Sequence, residues 1–119
     1  MTGAVFEAPT DQELEEIRYF VGGTVDEGEE GVRTLVWSVD SGSGEITYDG
    51  LGRSVRVLFL DAEGEEFVDV FREGAFRLRF VNTSVECEAV VEFGTDSLSG
   101  TMRIHMLPSL AIHDSMLLT

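Results

Sequence analysis

The chain contains no lysine, and its eight basic residues are all arginine. They are outnumbered by 23 acidic residues, so the formal net charge is −15. A protein that binds the phosphate backbone of DNA or RNA needs a basic face, and this composition excludes direct nucleic-acid binding. The charge allows attraction to a basic protein, but it also favours solubility. The lack of lysine is equally typical of a GC-rich or halophilic coding background.

Long apolar runs are also missing, since the longest is the four residues 57–60. A helix needs about 20 apolar residues to cross a bilayer. The N-terminus has neither the basic segment nor the apolar run of a secretory signal. The sequence therefore predicts a cytoplasmic protein with no membrane contact, or a component of a particle assembled in the cytoplasm.

Only one cysteine is present, so no internal disulfide can form. Cys87 falls on the apolar side of an alternating segment, between Glu86 and Glu88. Thiolate chemistry requires electropositive surroundings, which two neighbouring carboxylates do not provide. We interpret Cys87 as a small core residue.

The sequence also lacks the motifs of enzymes and metal sites. Its two histidines, His105 and His113, are accompanied by no Gly-x-Ser-x-Gly elbow, phosphate loop or dinucleotide fingerprint. The carboxylate-rich segments 26–31 and 61–66 do not have the ligand spacing of an EF-hand loop. We therefore predict no enzyme activity, no catalytic residue, no cofactor and no metal, and we interpret the two acidic segments as solvated turns.

What the sequence does contain begins with a helix. Thr10 and Glu13 have the spacing of a capping box, and acidic residues crowd the first turns, where the helix dipole favours them. Apolar residues then recur with helical spacing: Leu14, Ile17 and Val21. A glycine pair supplies the stop signal. We predict a helix at about 11–21 and a flexible acidic loop at 24–31.

Beyond this loop the period of apolar residues changes from 3.6 to 2. Short turns separate the alternating segments, so sequence neighbours should become spatial neighbours. The pattern predicts an antiparallel sheet at about 34–107 and an apolar tail at 109–119 that forms a last strand or packs across an edge. One helix cannot cover so many strands, so the sheet has to curl. The predicted fold is α+β, mainly β, in a single domain 1–119: a short N-terminal helix followed by a seven- to eight-stranded antiparallel meander curled into a roll, barrel or sandwich.

The clearest alternation lies in residues 75–93. A two-residue turn at 82–83 would pair Arg79 with Glu86 and Arg77 with Glu88, which places opposite charges across from each other. The same register predicts one shared apolar face, made of Phe76, Leu78, Phe80, Val85, Cys87, Ala89, Val91 and Phe93.

Acidic residues are concentrated at the start of the chain. Residues 1–31 hold nine acidic residues and one arginine, a net charge of −8, whereas the remaining three quarters carry −7. This distribution favours a non-enzymatic acidic protein of inhibitor or immunity type, which engages a basic partner such as a nuclease or a nucleic-acid-targeting complex. The predicted partner-binding residues are the carboxylates that the helix cap leaves free: Asp11, Glu15, Glu16, Asp26, Glu27, Glu29 and Glu30.

Two other classes of function remain open. The first is a structural assembly subunit, for example a virion or tail component, whose copies bury a sheet face or the apolar tail between them. The abundance of predicted strands and the composition of the tail favour this alternative. The second is an enzyme or small-ligand carrier that uses the interior of a curled sheet, which no particular residue pattern favours.

Overall fold

The computed structural model of the protein describes residues 6–94 and 98–118. Within these ranges the chain forms one helix and nine strands. The elements in chain order are α1 (Asp11–Val21), β1 (Thr24–Glu27), β2 (Val32–Val39), β3 (Gly42–Asp49), β4 (Ser54–Asp61), β5 (Glu66–Glu73), β6 (Ala75–Asn82), β7 (Cys87–Gly94), β8 (Leu98–Leu107) and β9 (Ala111–Leu118).

The strands form two antiparallel sheets, one of five strands in the order β1 to β5 and one of four strands in the order β6 to β9. Buried side chains from both sheets join one hydrophobic cluster. The chain passes from the first sheet to the second at Gly74, whose φ of 83° lies in the left-handed region that favours glycine. The predicted α+β, mainly β fold is confirmed, and the predicted single meander is divided into two that share a core.

The helix follows its sequence signals closely. The N–H of Glu13 donates to Thr10 Oγ1 at 3.1 Å, and the N–H of Thr10 donates to Glu13 Oε1 at 2.9 Å, so the predicted capping box is present. The helix ends at Gly22, which adopts the left-handed conformation. Its apolar stripe is buried, and two of the three side chains, Ile17 and Val21, belong to the shared core.

The predicted acidic loop at 24–31 is partly wrong, because Thr24–Glu27 forms β1. This strand pairs with β2, and Val25 lies opposite the fully buried Leu35. An edge strand needs few apolar residues. It pairs with a neighbour on one side only, and its other side is open to solvent. Val25 is enough to anchor it, and the turn shrinks to residues 28–31. Together with β9, which the predicted tail forms, this strand raises the total to nine.

The predicted two-residue turn at 82–83 is also wrong, although the hairpin itself exists. The loop spans residues 83–86, and the N–H of Thr83 donates to the carbonyl of Glu86 at 2.9 Å. In return the Thr83 hydroxyl accepts the N–H groups of Val85 and Glu86 at 3.3 and 3.1 Å. This threonine side chain organises the longer turn by satisfying backbone donors, as such side chains commonly do.

The longer turn moves the register by four residues, so Arg79 lies opposite Val90, and Arg77 opposite Glu92. An even shift keeps each side chain on its predicted face. Most of the predicted apolar set is accordingly buried or packs against the core: Leu78, Phe80, Cys87, Ala89, Val91 and Phe93. Two members depart from it. Val85 is exposed in the loop, and Phe76 is only partly buried because the pairing is irregular between Ala75 and Arg77.

Trp37 fills the space between the sheets. It lies opposite Gly44 in the β2–β3 pairing, and its indole N–H donates to the carbonyl of Met106 in the other sheet at 3.0 Å. A Cβ atom on Gly44 would lie 2.4 Å from Cζ2 of the indole, so the ring occupies the space that any larger residue at position 44 would need.

We therefore expect Gly44→Ala to displace the indole and weaken its bond to Met106. Overpacking of a filled core typically costs about 1–3 kcal/mol. The measurement is the free energy of unfolding from urea titration followed by tryptophan fluorescence. Ser43→Ala, at the neighbouring partly buried position, is the matched control and should change the midpoint little. Equal midpoints for wild type and Gly44→Ala would show that the indole has room to move.

Candidate partner-binding surface

Charge is divided unequally between the two sheets. Residues 1–73, which contain α1 and the five-stranded sheet, hold 18 acidic residues and five arginines, a net charge of −13. Residues 74–119, which contain the four-stranded sheet, hold five acidic residues and three arginines, a net charge of −2. We call α1 with β1–β5 the acidic half of the molecule. The excess charge therefore extends beyond the N-terminal quarter that the sequence singled out.

All seven predicted partner-binding residues are exposed and lie in the acidic half. Three are on the helix, two are on β1 and two are in the β1–β2 turn. The first helical residue, Asp11, lines the same surface depression as Gly31 and Arg33. The start of the helix is therefore beside the β1–β2 turn, whereas Glu15 and Glu16 line a different depression, together with Asn82 of β6.

Some of these carboxylates are engaged within the molecule. Glu15 forms an ion pair with Arg18, which lowers the pKa of the Glu15 carboxyl. Glu27 lies 3.3 Å from Arg33. In the described part of the chain, the remaining five have no cation within 4.0 Å: Asp11, Glu16, Asp26, Glu29 and Glu30. Their charges are available to a partner.

Glu13 has a different role from its acidic neighbours. Its carboxylate accepts the backbone N–H of Thr10 and lies beside the Thr10 hydroxyl, and these contacts lower the pKa of the Glu13 carboxyl. The side chain is thus part of the helix cap, as predicted.

The sequence did not identify the outer face of the five-stranded sheet as a feature of interest. Phe71, on the edge strand β5, is 54% exposed. It lies opposite Arg56 of β4, whose guanidinium binds both carboxylate oxygens of Asp69 at 2.9 and 2.8 Å. This pairing lowers the pKa of the Asp69 carboxyl. The available signal was that β5 carries apolar residues on both phases of its alternation, whereas one face is enough for a core.

The outer face of the four-stranded sheet carries several pairs of oppositely charged side chains. Arg77 lies 3.0 Å from Glu92, and Arg103 lies 2.8 Å from Glu88. His105 lies 3.5 Å from the carboxylate of Glu86. These contacts place opposite charges side by side on this face, and the small net charge of this half follows from its few acidic residues.

No protein-family profile matches the sequence, and no curated protein matches it significantly. The structure, however, is similar to a chain of the contact-dependent growth inhibition toxin–immunity protein complex from Klebsiella pneumoniae 342. The superposition has a TM-score of 0.77 at 14% sequence identity, and it covers 97% of this chain and 100% of that chain. The two chains share a fold. At this identity the similarity establishes nothing beyond the fold.

The acidic turns use their carboxylates to order their own backbone. In the β4–β5 turn, Asp61 Oδ1 accepts the N–H groups of Glu63 and Glu65 at 3.0 and 2.9 Å.

Across residues 6–94 and 98–118, no three His, Cys, Asp or Glu side chains are grouped so that they could hold a metal ion. In the same ranges, no helix is long and apolar enough to cross a membrane.

Cys87 is fully buried, and its Sγ lies 3.8 Å from Sδ of Met106. Burial raises the pKa of the thiol to about 11. The interpretation of this residue as part of the core is confirmed. This shift makes the thiolate fraction at neutral pH on the order of 100-fold smaller than that of an exposed thiol.

We expect Cys87 to react with a disulfide-exchange reagent at neutral pH only after unfolding. Both the small thiolate fraction and the covered sulfur slow the native reaction, so its rate should be at least about 100-fold below that of the same protein in guanidinium. The release of the reagent's chromophore measures both rates. Rapid stoichiometric labelling of the native protein would contradict the assignment and reopen a chemical role for the thiol.

Proposed function

We propose that this chain is a non-enzymatic protein of immunity type, which binds a basic protein and blocks its activity. The observation that carries the proposal is the net charge of −13 on the acidic half. The fold similarity to a chain of a toxin–immunity complex supports the same class of function. Together they favour a protein partner with a basic surface.

Charge also distinguishes between the two roles in a toxin–immunity complex, which are the toxin and its inhibitor. A chain of net charge −15 is repelled by nucleic acid and cannot exchange counterions with its phosphates. The same chain attracts a basic protein, including one that has to bind nucleic acid for its own activity. We therefore assign the inhibitor role to this chain.

The start of the helix and the β1–β2 turn are the proposed entry point for the partner. Asp11 lines the same depression as Gly31 of the turn, and the neighbouring turn residues Glu29 and Glu30 are exposed. Charges of this kind mainly accelerate association. Salt screens them over a Debye length of about 8 Å at physiological ionic strength.

The alternative function, a structural assembly subunit, is less well supported. This alternative places the apolar C-terminal tail in contacts between copies. In the structure, Ala111–Leu118 forms β9 and pairs along its length with β8 of the same chain. A net charge of −15 on each copy also opposes close packing of copies.

The protein encoded by the adjacent gene provides the first test. A toxin and its inhibitor have to be inherited together, because a cell with the toxin alone would not survive. We expect one neighbouring gene to encode a basic protein that arrests growth when expressed alone. Co-expression of this chain should restore growth, and calorimetry with the purified proteins should show saturable binding. If neither neighbour is toxic, or if the toxic one does not bind this chain, the proposal is wrong.

The charge distribution predicts which step of binding depends on the β1–β2 turn. The triple variant Glu27→Gln, Glu29→Gln, Glu30→Gln should associate with that basic protein on the order of 3- to 10-fold more slowly at low salt, with a flatter salt dependence. Stability should change little, because among the described residues the variant removes one ion pair, the exposed one between Glu27 and Arg33. Stopped-flow association rates across a salt series measure the effect.

The matched control removes the same charge from the opposite end of the five-stranded sheet. Successive turns of a meander lie at alternate ends, so the β2–β3 and β4–β5 turns are distant from the β1–β2 turn. The control variant is Asp40→Asn, Glu63→Gln, Glu65→Gln, in which all three wild-type residues are exposed. It should slow association less. Equal effects of the two variants would show that only total charge matters and would remove the β1–β2 turn from the binding surface.

A further inference from the structure

The acidic half presents a continuous row of outward-facing side chains across all five strands. Strand register places Asp26 opposite Thr34, Thr34 opposite Thr47, Thr47 opposite Arg56, and Arg56 opposite Phe71. With strands about 4.8 Å apart, this row spans roughly 19 Å. One end of it is a predicted partner-binding carboxylate, and the other end is an exposed aromatic ring.

Partly exposed apolar side chains lie near the aromatic end of this row. Leu58 and Leu60 are on the same outer face of β4 as Arg56, and both are only partly buried. Glu45 of β3 separates Leu58 from Val36 of β2 in the register, so apolar and charged side chains alternate across this face. The half-exposed ring of Phe71 is therefore set among both kinds of side chain, and an exposed aromatic ring is a frequent anchor in protein interfaces.

Carboxylates lie among these apolar side chains. Glu45 lies opposite Leu58 on one side, and Glu73 belongs to β5 on the other. The one arginine on this part of the face, Arg56, is held by both oxygens of Asp69 and adds no free positive charge. An aromatic ring with carboxylates around it is suited to arginine and lysine side chains, because their stems pack on apolar groups and their cations interact with both ring face and carboxylate.

From this arrangement we propose that the outer face of β3–β5, centred on Phe71, is the anchoring contact for arginine and lysine side chains of the basic partner. The inference rests on the proposed function and adds the surface that holds the partner after the acidic turn has attracted it. A second copy of this chain is a poor occupant, since its own acidic half would meet the same carboxylates. Aromatic side chains surrounded by a polar rim are the groups that dominate the energetics of many protein interfaces.

The variant Phe71→Thr tests the anchor. Threonine keeps the strand preference of β5 while removing the ring. With the basic protein encoded by the adjacent gene as the probe, we expect the Kd to rise about 30-fold, mainly through faster dissociation, and the salt dependence of association to stay as in wild type. Val85→Thr, at an exposed apolar position in the β6–β7 loop, is the matched control and should bind as wild type. Thermal melts of both variants check that they are folded.

The outcomes separate the two proposals. If wild type binds and Phe71→Thr binds equally well, the anchoring surface is wrong and the proposed function stands. If wild type does not bind, both proposals are wrong. Sedimentation velocity of the chain alone addresses the other occupant: we expect a monomer at all concentrations, and a dimer that Phe71→Thr dissociates would show that this face holds a second copy instead. If Phe71→Thr does not fold, Leu58→Thr on the same face provides the same comparison.

Discussion

The contact between Trp37 and the opposite sheet is the interaction on which the rest of the structure depends. The indole is fully buried, meets Phe59 edge to face at 6.4 Å, and donates its N–H to the carbonyl of Met106. It thereby fixes β2 against β8 at a single separation and angle. Because a buried indole N–H without an acceptor is costly, the two sheets cannot slide without losing this bond. Gly44 is the necessary counterpart, since it leaves the space that the ring fills.

A core closed in this way leaves polar chemistry to the surface. Among the described residues no polar or charged side chain is fully buried, although Oε2 of Glu92 is covered and lies 3.0 Å from Arg77. The change of sheet at Gly74 then separates the charge, because most acidic residues precede it in sequence. The half that contains the four-stranded sheet has a small net charge, and the half that contains the five-stranded sheet is strongly negative. A protein that presents unbalanced charge on one side is oriented as it approaches an oppositely charged surface.

The parts of the fold that could be predicted from sequence are those set by local chemistry. The helix was predictable because Thr10, Glu13 and the apolar stripe act within a few residues of each other. Strand faces were predictable because alternation survives any even shift of register. The register itself was not, since the hydroxyl of Thr83 stabilises a longer turn that competes with the charge pairing the sequence favoured.

Other features depended on distant partners and left weaker signals. Four polar or weakly apolar residues gave no reason to expect β1, because that strand exists through its pairing with β2. The seven predicted partner-binding residues could be located as exposed, but the position of Asp11 beside the β1–β2 turn could be known only from the fold. Phe71 belongs to a segment with apolar residues on both phases of its alternation, so the pattern did not single it out. Only the fold showed that it faces away from the core.

The order of the two sheets along the chain has a consequence for synthesis on the ribosome. Each sheet is a meander of neighbouring strands, so the five-stranded sheet can pair locally as soon as residue 73 has emerged. The bond from Trp37 to Met106 spans 69 residues and has to wait for β8. Until then the nascent sheet has one uncovered apolar face, a state in which partly made proteins tend to aggregate. Its own net charge of −13 opposes contact between neighbouring nascent chains, so the same residues that we assign to partner binding also protect the protein while it is being made.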